Sequence, residues 1–201
     1  MKVLIACEYS GIVRDAFILR GHDAISCDFL PSERPGPHVQ GDVRPLLRRP
    51  WDLVVAFPPC TYLCNSGVRW LYERPGRWEQ MRVAALFFSE CLNANADRVA
   101  CENPVMHRYG SEIIGRGPDF TVQPWHFGDA FTKRTAFWCR NLSPLVPDPG
   151  NVLDRHRAVS ACHLEPPGPD RWKNRSRTFP GIANAIAEQW SFPWLGQGFA
   201  F

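Results

Sequence analysis

The sequence predicts an α/β fold, a Rossmann-like doubly wound parallel sheet, in one domain covering residues 1–201. Two observations predict it. Short apolar, β-branched runs alternate with segments whose apolar residues recur at helical spacing. Polar residues (Glu8, Asp28, Asp42, Cys60 and Glu102) close the strand-like runs, which would gather them on one sheet edge. Ligands of doubly wound sheets bind beyond that edge, at the carboxyl ends of the strands.

In chain order, "KVLIACE" reads as a buried strand. "GIVRDAFILRG" follows with Ile12, Val13, Ala16, Phe17 and Leu19 on helical spacing and Gly21 as the stop signal. "DAISCDF" is a second strand ending near Asp28, followed by the proline-rich loop "LPSERPGPHVQ" and by "GDVRPLL". "WDLVVAFPP" is the next strand, "RWEQMRVAALFFSECLNAN" a long amphipathic helix, and "ADRVACENP" and "RTAFWC" two further strands. From about residue 144 to 178 the pattern dissolves into proline-rich loop. A last helix, "GIANAIAEQW", starts after Pro180, which suits a first-turn position.

The chain is 45% hydrophobic, enough for a sizeable core, and has no apolar run long enough to span a bilayer. Its first residues read as a strand and not as a signal peptide, so a cytoplasmic location is expected, with the eight cysteines reduced. No Cys-x-x-Cys pair occurs. His156, Cys162 and His163 form only a loose cluster, and no metal is expected. The net charge is +3, but Lys and Arg concentrate in residues 69–82, 133–140 and 171–177, with Trp70, Trp78 and Trp172 interleaved. Such loops suit a polyanion.

The stretch "VVAFPPCTYL" presents one thiol with unusual care. Each proline locks its own φ and restrains its predecessor, so the backbone is fixed as it leaves the strand and Cys60 is aimed into the crevice above the sheet. "VACENPV" places Glu102 in the same way after another strand. A nucleophilic thiol and a carboxyl in one crevice suit covalent catalysis with an acid partner.

These motifs resemble those of the DNA cytosine-5 methyltransferases. "FPPC" resembles that family's nucleophile motif, which implies Cys60 as nucleophile with Pro58 beside the cofactor. "ENP" resembles its base-binding motif and implies Glu102. "GDAFTKRTAFW" resembles its arginine motif and implies Arg134. "EYSGIVRDAFILRGHDAISCDF" and "GDV" resemble the cofactor-binding segments, which implies contacts to S-adenosylmethionine from Glu8, Ser10, Gly11, Asp28 and Asp42. "RTFPGIANAIAEQW" is similar to the closing motif. The whole chain is similar to short phage-encoded members of that group, and the resemblance implies the fold of the class I S-adenosylmethionine-dependent methyltransferases.

The sequence departs from the family at Glu8, where a glycine is expected, at Thr132 and Ala136 in the arginine motif, and at Ile182 in the closing motif. Glu8 either points into the cofactor site or caps the following helix. The family's target-recognition region is replaced by the proline-rich segment. That segment offers Arg171, Lys173, Arg175 and Arg177 to phosphates, which positions DNA without reading it. Arg69 and Trp70, in the loop after Cys60, are expected to close over the base. The expected activity is methylation of DNA cytosine at C5, with low or partner-dependent sequence specificity supplied by a second protein or a second copy. Two alternatives stand beside it: the same cysteine chemistry on a free cytosine nucleotide or with another one-carbon donor, and a non-catalytic binder of DNA or cofactor.

Overall fold

The computed structural model describes residues 1–160 and 164–192. Seven strands form one sheet: β1 (Lys2–Ala6), β2 (Asp23–Asp28), β3 (His38–Gln40), β4 (Trp51–Ala56), β5 (Ala96–Pro104), β6 (Phe120–Val122) and β7 (Thr135–Arg140). Their order is β3-β2-β1-β4-β5-β7-β6. The first five are parallel, and β7 runs antiparallel between β5 and β6. This is a Rossmann-like doubly wound arrangement. Its strand order reverses between β1 and β4, which opens a crevice at their carboxyl ends.

The strands in the middle of the sheet are apolar on both sides because both faces are covered. Val3, Ile5, Leu53 and Val55 pack on one face with α1 (Ile12–Ile18) and the C-terminal helix. Leu4, Val54 and Val99 pack on the other with α2 (Arg44–Leu47), α3 (Trp70–Glu73) and α4 (Arg77–Leu92). Next come α5 (Arg108–Ile114), α6 (Arg171–Ser176) and the C-terminal helix α7 (Pro180–Gln189). The short strands β3 and β6 and the helices α3 and α5 lie in stretches that carry too few periodic residues to be read from sequence. Within the span 144–178, expected to be irregular, α6 is helical. None of the described helices is long and apolar enough to cross a membrane.

One charged residue is built into this frame. Arg14 of α1 is fully buried. It donates to Asp15 Oδ1 at 2.9 and 2.7 Å, to Ser32 Oγ at 3.0 Å and to the Pro35 carbonyl at 3.0 Å, and so ties down the loop after β2. Two glycines make room for it. A Cβ at Gly11 would lie 2.6 Å from Arg14 Nη2, and one at Gly36 would lie 2.9 Å from the guanidinium carbon. Arg14→Met keeps the volume but leaves these acceptors unpaired. It is expected to destabilise the fold by about 3–5 kcal/mol, read from urea unfolding.

Candidate active site

Three loops at the carboxyl edge build the site. The chain leaves β4 through buried Pro58 and exposed Pro59 into a tight turn, in which the Cys60 carbonyl accepts from the amides of Leu63 and Cys64, both at 3.0 Å. The turn is held from two sides. Arg77, at the start of α4, donates to the Thr61 carbonyl at 2.7 Å and stacks 4.1 Å over the Tyr62 ring. From the loop after β5, His107 Nε2 donates to the Tyr62 carbonyl at 2.9 Å. Its Nδ1 accepts from the Gly110 amide, which fixes the tautomer. The Asn65 and His107 amides complete the clasp on the carbonyls of Val105 and Leu63. The nucleophile candidate therefore sits on a braced turn.

Glu102 lies inside β5, opposite Phe137 of β7 and followed by buried Asn103, and not after the strand as the sequence reading places it, because the pairing with β7 extends β5 to Pro104. It is buried, and its Oε1 has no partner among the described residues. Burial pushes its pKa above the usual carboxylate range, with the Lys133 charge pulling the other way. An unpartnered buried carboxyl costs stability and persists where a ligand would complete it.

Cys60 is drawn the opposite way. The Cys64 thiol hydrogen-bonded to it lowers its pKa, while burial and the Glu102 charge oppose and Lys133 assists. Cys64 is the partner that keeps its proton. The Glu102 charge thus reaches Cys60, and a third group reaches both. That group is Lys133, which acts on Cys60, Cys64 and Glu102 alike. Arg134, the sequence candidate, is exposed. Both residues lie in the loop before β7, where Lys133 donates its amide to Gln123 Oε1 at 3.0 Å.

At the β1 edge the structure resolves the two readings of Glu8 in part. Oε1 accepts from the Val13 amide at 2.9 Å and from Ser10 Oγ at 2.9 Å, so the residue caps α1. Oε2 is buried without a partner among the described residues, and burial raises the pKa of the group. Gly11, with φ +73°, opens the helix. Asp28 takes up turn chemistry, accepting from the Leu30 amide at 2.9 Å, and burial raises its pKa. Asp42 accepts from the Arg44 amide at 3.0 Å and pairs with the Arg44 guanidinium, which lowers its pKa. Phe29, directly after Asp28, is 70% exposed, an aromatic face that sequence reasoning passed over.

The basic segment 171–177 lies against the β1 and β2 loops. Tyr9 donates its hydroxyl to the Lys173 carbonyl at 2.5 Å. Lys173 Nζ lies 3.3 Å from Glu33 Oε1, and Arg177 grips the same carboxylate through Nε at 2.8 Å and Nη2 at 2.6 Å. Two of the four cations assigned to phosphates are therefore engaged within the chain. Arg175 is exposed, and Arg171 Nε is buried without a partner among the described residues. Exposed ion pairs contribute little to global stability. Glu33→Gln should thus lower stability by less than about 1 kcal/mol, yet trypsin should cut within 171–177 markedly faster. A digestion time course beside a thermal melt checks both.

Arg69 stacks 4.2 Å over the Trp70 ring, beside the site turn. The seven described cysteines are all free. Among the described residues no group of three His, Cys, Asp or Glu could hold a metal ion. Cys162 and His163 of the loose cluster lie outside them.

No family model matches this chain, and no curated protein does. Among solved structures it is similar to an E. coli protein described as a DNA modification methyltransferase encoded within a prophage, at 14% identity and a TM-score of 0.47, over 83% of this chain and 55% of that one. It is also similar to the Entamoeba histolytica methyltransferase EhMeth, at 15% identity and a TM-score of 0.45, over 72% of this chain and 54% of that one. The chain spans about half the length of both.

Proposed function

We propose that the protein methylates cytosine at C5 in DNA, using S-adenosylmethionine and a covalent bond from Cys60. The observation that carries this reading is the buried, unpartnered carboxyl of Glu102 beside an acidified thiol, at the adjoining ends of β5 and β4. A protonated carboxyl there can donate to N3 of cytosine and accept from its exocyclic amine, which fills the vacancy on Oε1.

In this mechanism the base is met unstacked, because C6 is out of reach inside a duplex. Cys60, as thiolate, adds to C6. Glu102 delivers its proton to N3, so that negative charge entering the ring is neutralised where it accumulates. Lys133, whose charge acts on both groups, takes the O2 side in place of Arg134. The residues at the β1 and β2 edge suit S-adenosylmethionine: Glu8 Oε2 lacks a donor such as the ligand's amine, and Phe29 offers a face to a purine. When bound there, the cofactor supplies an electrophilic methyl group. Loss of the C5 proton then lets Cys60 depart and restores the aromatic ring.

A specific observation favours the nucleotide-level alternative as the second reading. Helix α6 of the proline-rich segment folds back on Glu33, which engages Lys173 and Arg177 in place of DNA. Incubation with methyl-labelled S-adenosylmethionine and either DNA or dCMP decides. Label in DNA supports the proposal, label in dCMP supports the alternative, and label in neither overturns both.

A further inference from the structure

Beside the Cys60 turn, on the α3, α4 and α5 side, lies a surface that the chemistry above does not use. Two guanidinium groups lie over the Trp70 ring, Arg69 at 4.2 Å and Arg74 at 4.0 Å from its centroid. Next to it, Tyr72, Trp78 and Tyr109 meet edge to face, with ring centroids 4.9 to 6.4 Å apart. The hydroxyls of Tyr72 and Tyr109 are hydrogen-bonded, and Arg108 lies 4.7 Å over the Tyr109 ring. A shallow cleft of about 320 Å³ runs between Trp78 and Tyr109.

Packing does not account for this group. Tyr72 is 67% exposed and Trp78 42% exposed, the two rings meet edge to face, and Arg108 lies alongside over the Tyr109 ring. The cluster is also continuous with the site. Arg77, the neighbour of Trp78, holds the Thr61 carbonyl, and His107, against the Tyr109 ring at 5.9 Å, holds that of Tyr62. The helix starts that carry Trp78 and Tyr109 follow β4 and β5, so they stand at the carboxyl edge of the sheet, where Cys60 and Glu102 stand.

We infer that this aromatic and arginine surface is a stacking platform for single-stranded DNA, holding the nucleotides that flank the target base. Bases stack on exposed rings with little regard to sequence, and guanidinium groups between the rings meet the phosphates. Two acids line the cleft: Glu79 is paired with Arg82 at 2.9 Å, Glu112 lies near Arg108, and Arg69 and Arg74 flank the Trp70 ring beside them. Recognition then lies on the α3–α5 side of the site and not in residues 171–177, whose cations Lys173 and Arg177 hold Glu33. The location rests on the cytosine reading of the site, but the platform itself is tested by binding alone.

The test titrates a fluorescent oligothymidylate, which contains no cytosine, against the intact protein across salt concentrations. Tyr72→Ala and Trp78→Ala are each expected to weaken binding by about tenfold, and the double variant by more. Tyr72→Phe and Trp78→Phe keep the rings and are expected to bind as the wild type does. Arg74→Ala should weaken binding and flatten its salt dependence. Thermal melts confirm that each variant folds. Because the probe cannot be methylated, the result stands apart from the proposed chemistry: failure of methyl transfer with ring-dependent binding would sink the reaction and keep the platform. Ring-independent binding would overturn it, as would no binding by the wild type. Loss of a concentration-dependent dimer in the alanine variants, with DNA binding unchanged, would also overturn it and assign the surface to a protein contact.

Discussion

Cys60→Ser is expected to reduce methyl transfer by at least about three orders of magnitude while leaving the fold intact. The alcohol is far less ionised at neutral pH than a thiol, and the wild-type thiol is more acidic than an ordinary one because Cys64 donates to it. Serine also fits the braced turn, since the contacts that hold residues 60–64 are made by backbone carbonyls and not by the thiol. The direct measurement is trapping. DNA carrying 5-fluorocytosine should become covalently attached to the wild type, because fluorine cannot leave C5 as a proton does, and the attachment should map to Cys60. An active Cys60→Ser enzyme, or an adduct that survives the substitution, would remove Cys60 from the mechanism. Cys64→Ala should retain activity but shift its pH dependence upward, since the hydrogen bond that favours the Cys60 thiolate is lost.

Glu102→Gln is expected to separate activity from stability. Glutamine can still donate to N3 but cannot deliver a proton, so turnover should fall by about 10²–10³-fold. Stability should move the other way. Burial raises the folded-state pKa of Glu102 above its unfolded value of about 4.3. The unfolded chain therefore gives up this proton first as pH rises. The carboxyl's contribution is fully present below the unfolded pKa and is lost as pH climbs through the raised folded value. A permanently neutral amide escapes that loss. The variant should match the wild type in acid and exceed it in stability above that window, as read from urea midpoints across pH. Equal midpoints at every pH would mean that Glu102 is not held in a desolvating site. Loss of stability in the variant would mean that the carboxylate is a structural pair.

Both residues were legible in the sequence because their presentation is local. A β-branched strand leading into Pro-Pro-Cys, or into Glu-Asn-Pro, carries its own geometry, since proline restricts the backbone whatever surrounds it. The alternation of apolar strands and periodic helices likewise declared a doubly wound sheet, because burial on both faces demands apolar strands. The positions of Glu8, Asp28, Asp42 and Cys60 at or just beyond strand ends follow from that alone, whereas Glu102 lies inside β5.

What only the tertiary structure decided depends on partners far apart in the chain. Lys133 and Arg134 are equivalent as sequence, and the fold brings the Lys133 charge to Glu102 and leaves Arg134 exposed. Arg14 reads as a surface residue of an amphipathic helix until the loop after β2 supplies its acceptors. The cations of residues 171–177 look available for phosphates until Glu33, more than a hundred residues earlier, takes two of them. The physical reason is common to all three. A proline or a strand period acts on its own backbone, whereas a charge or a hydrogen-bonding group is defined by whatever the fold brings within about 3 Å of it.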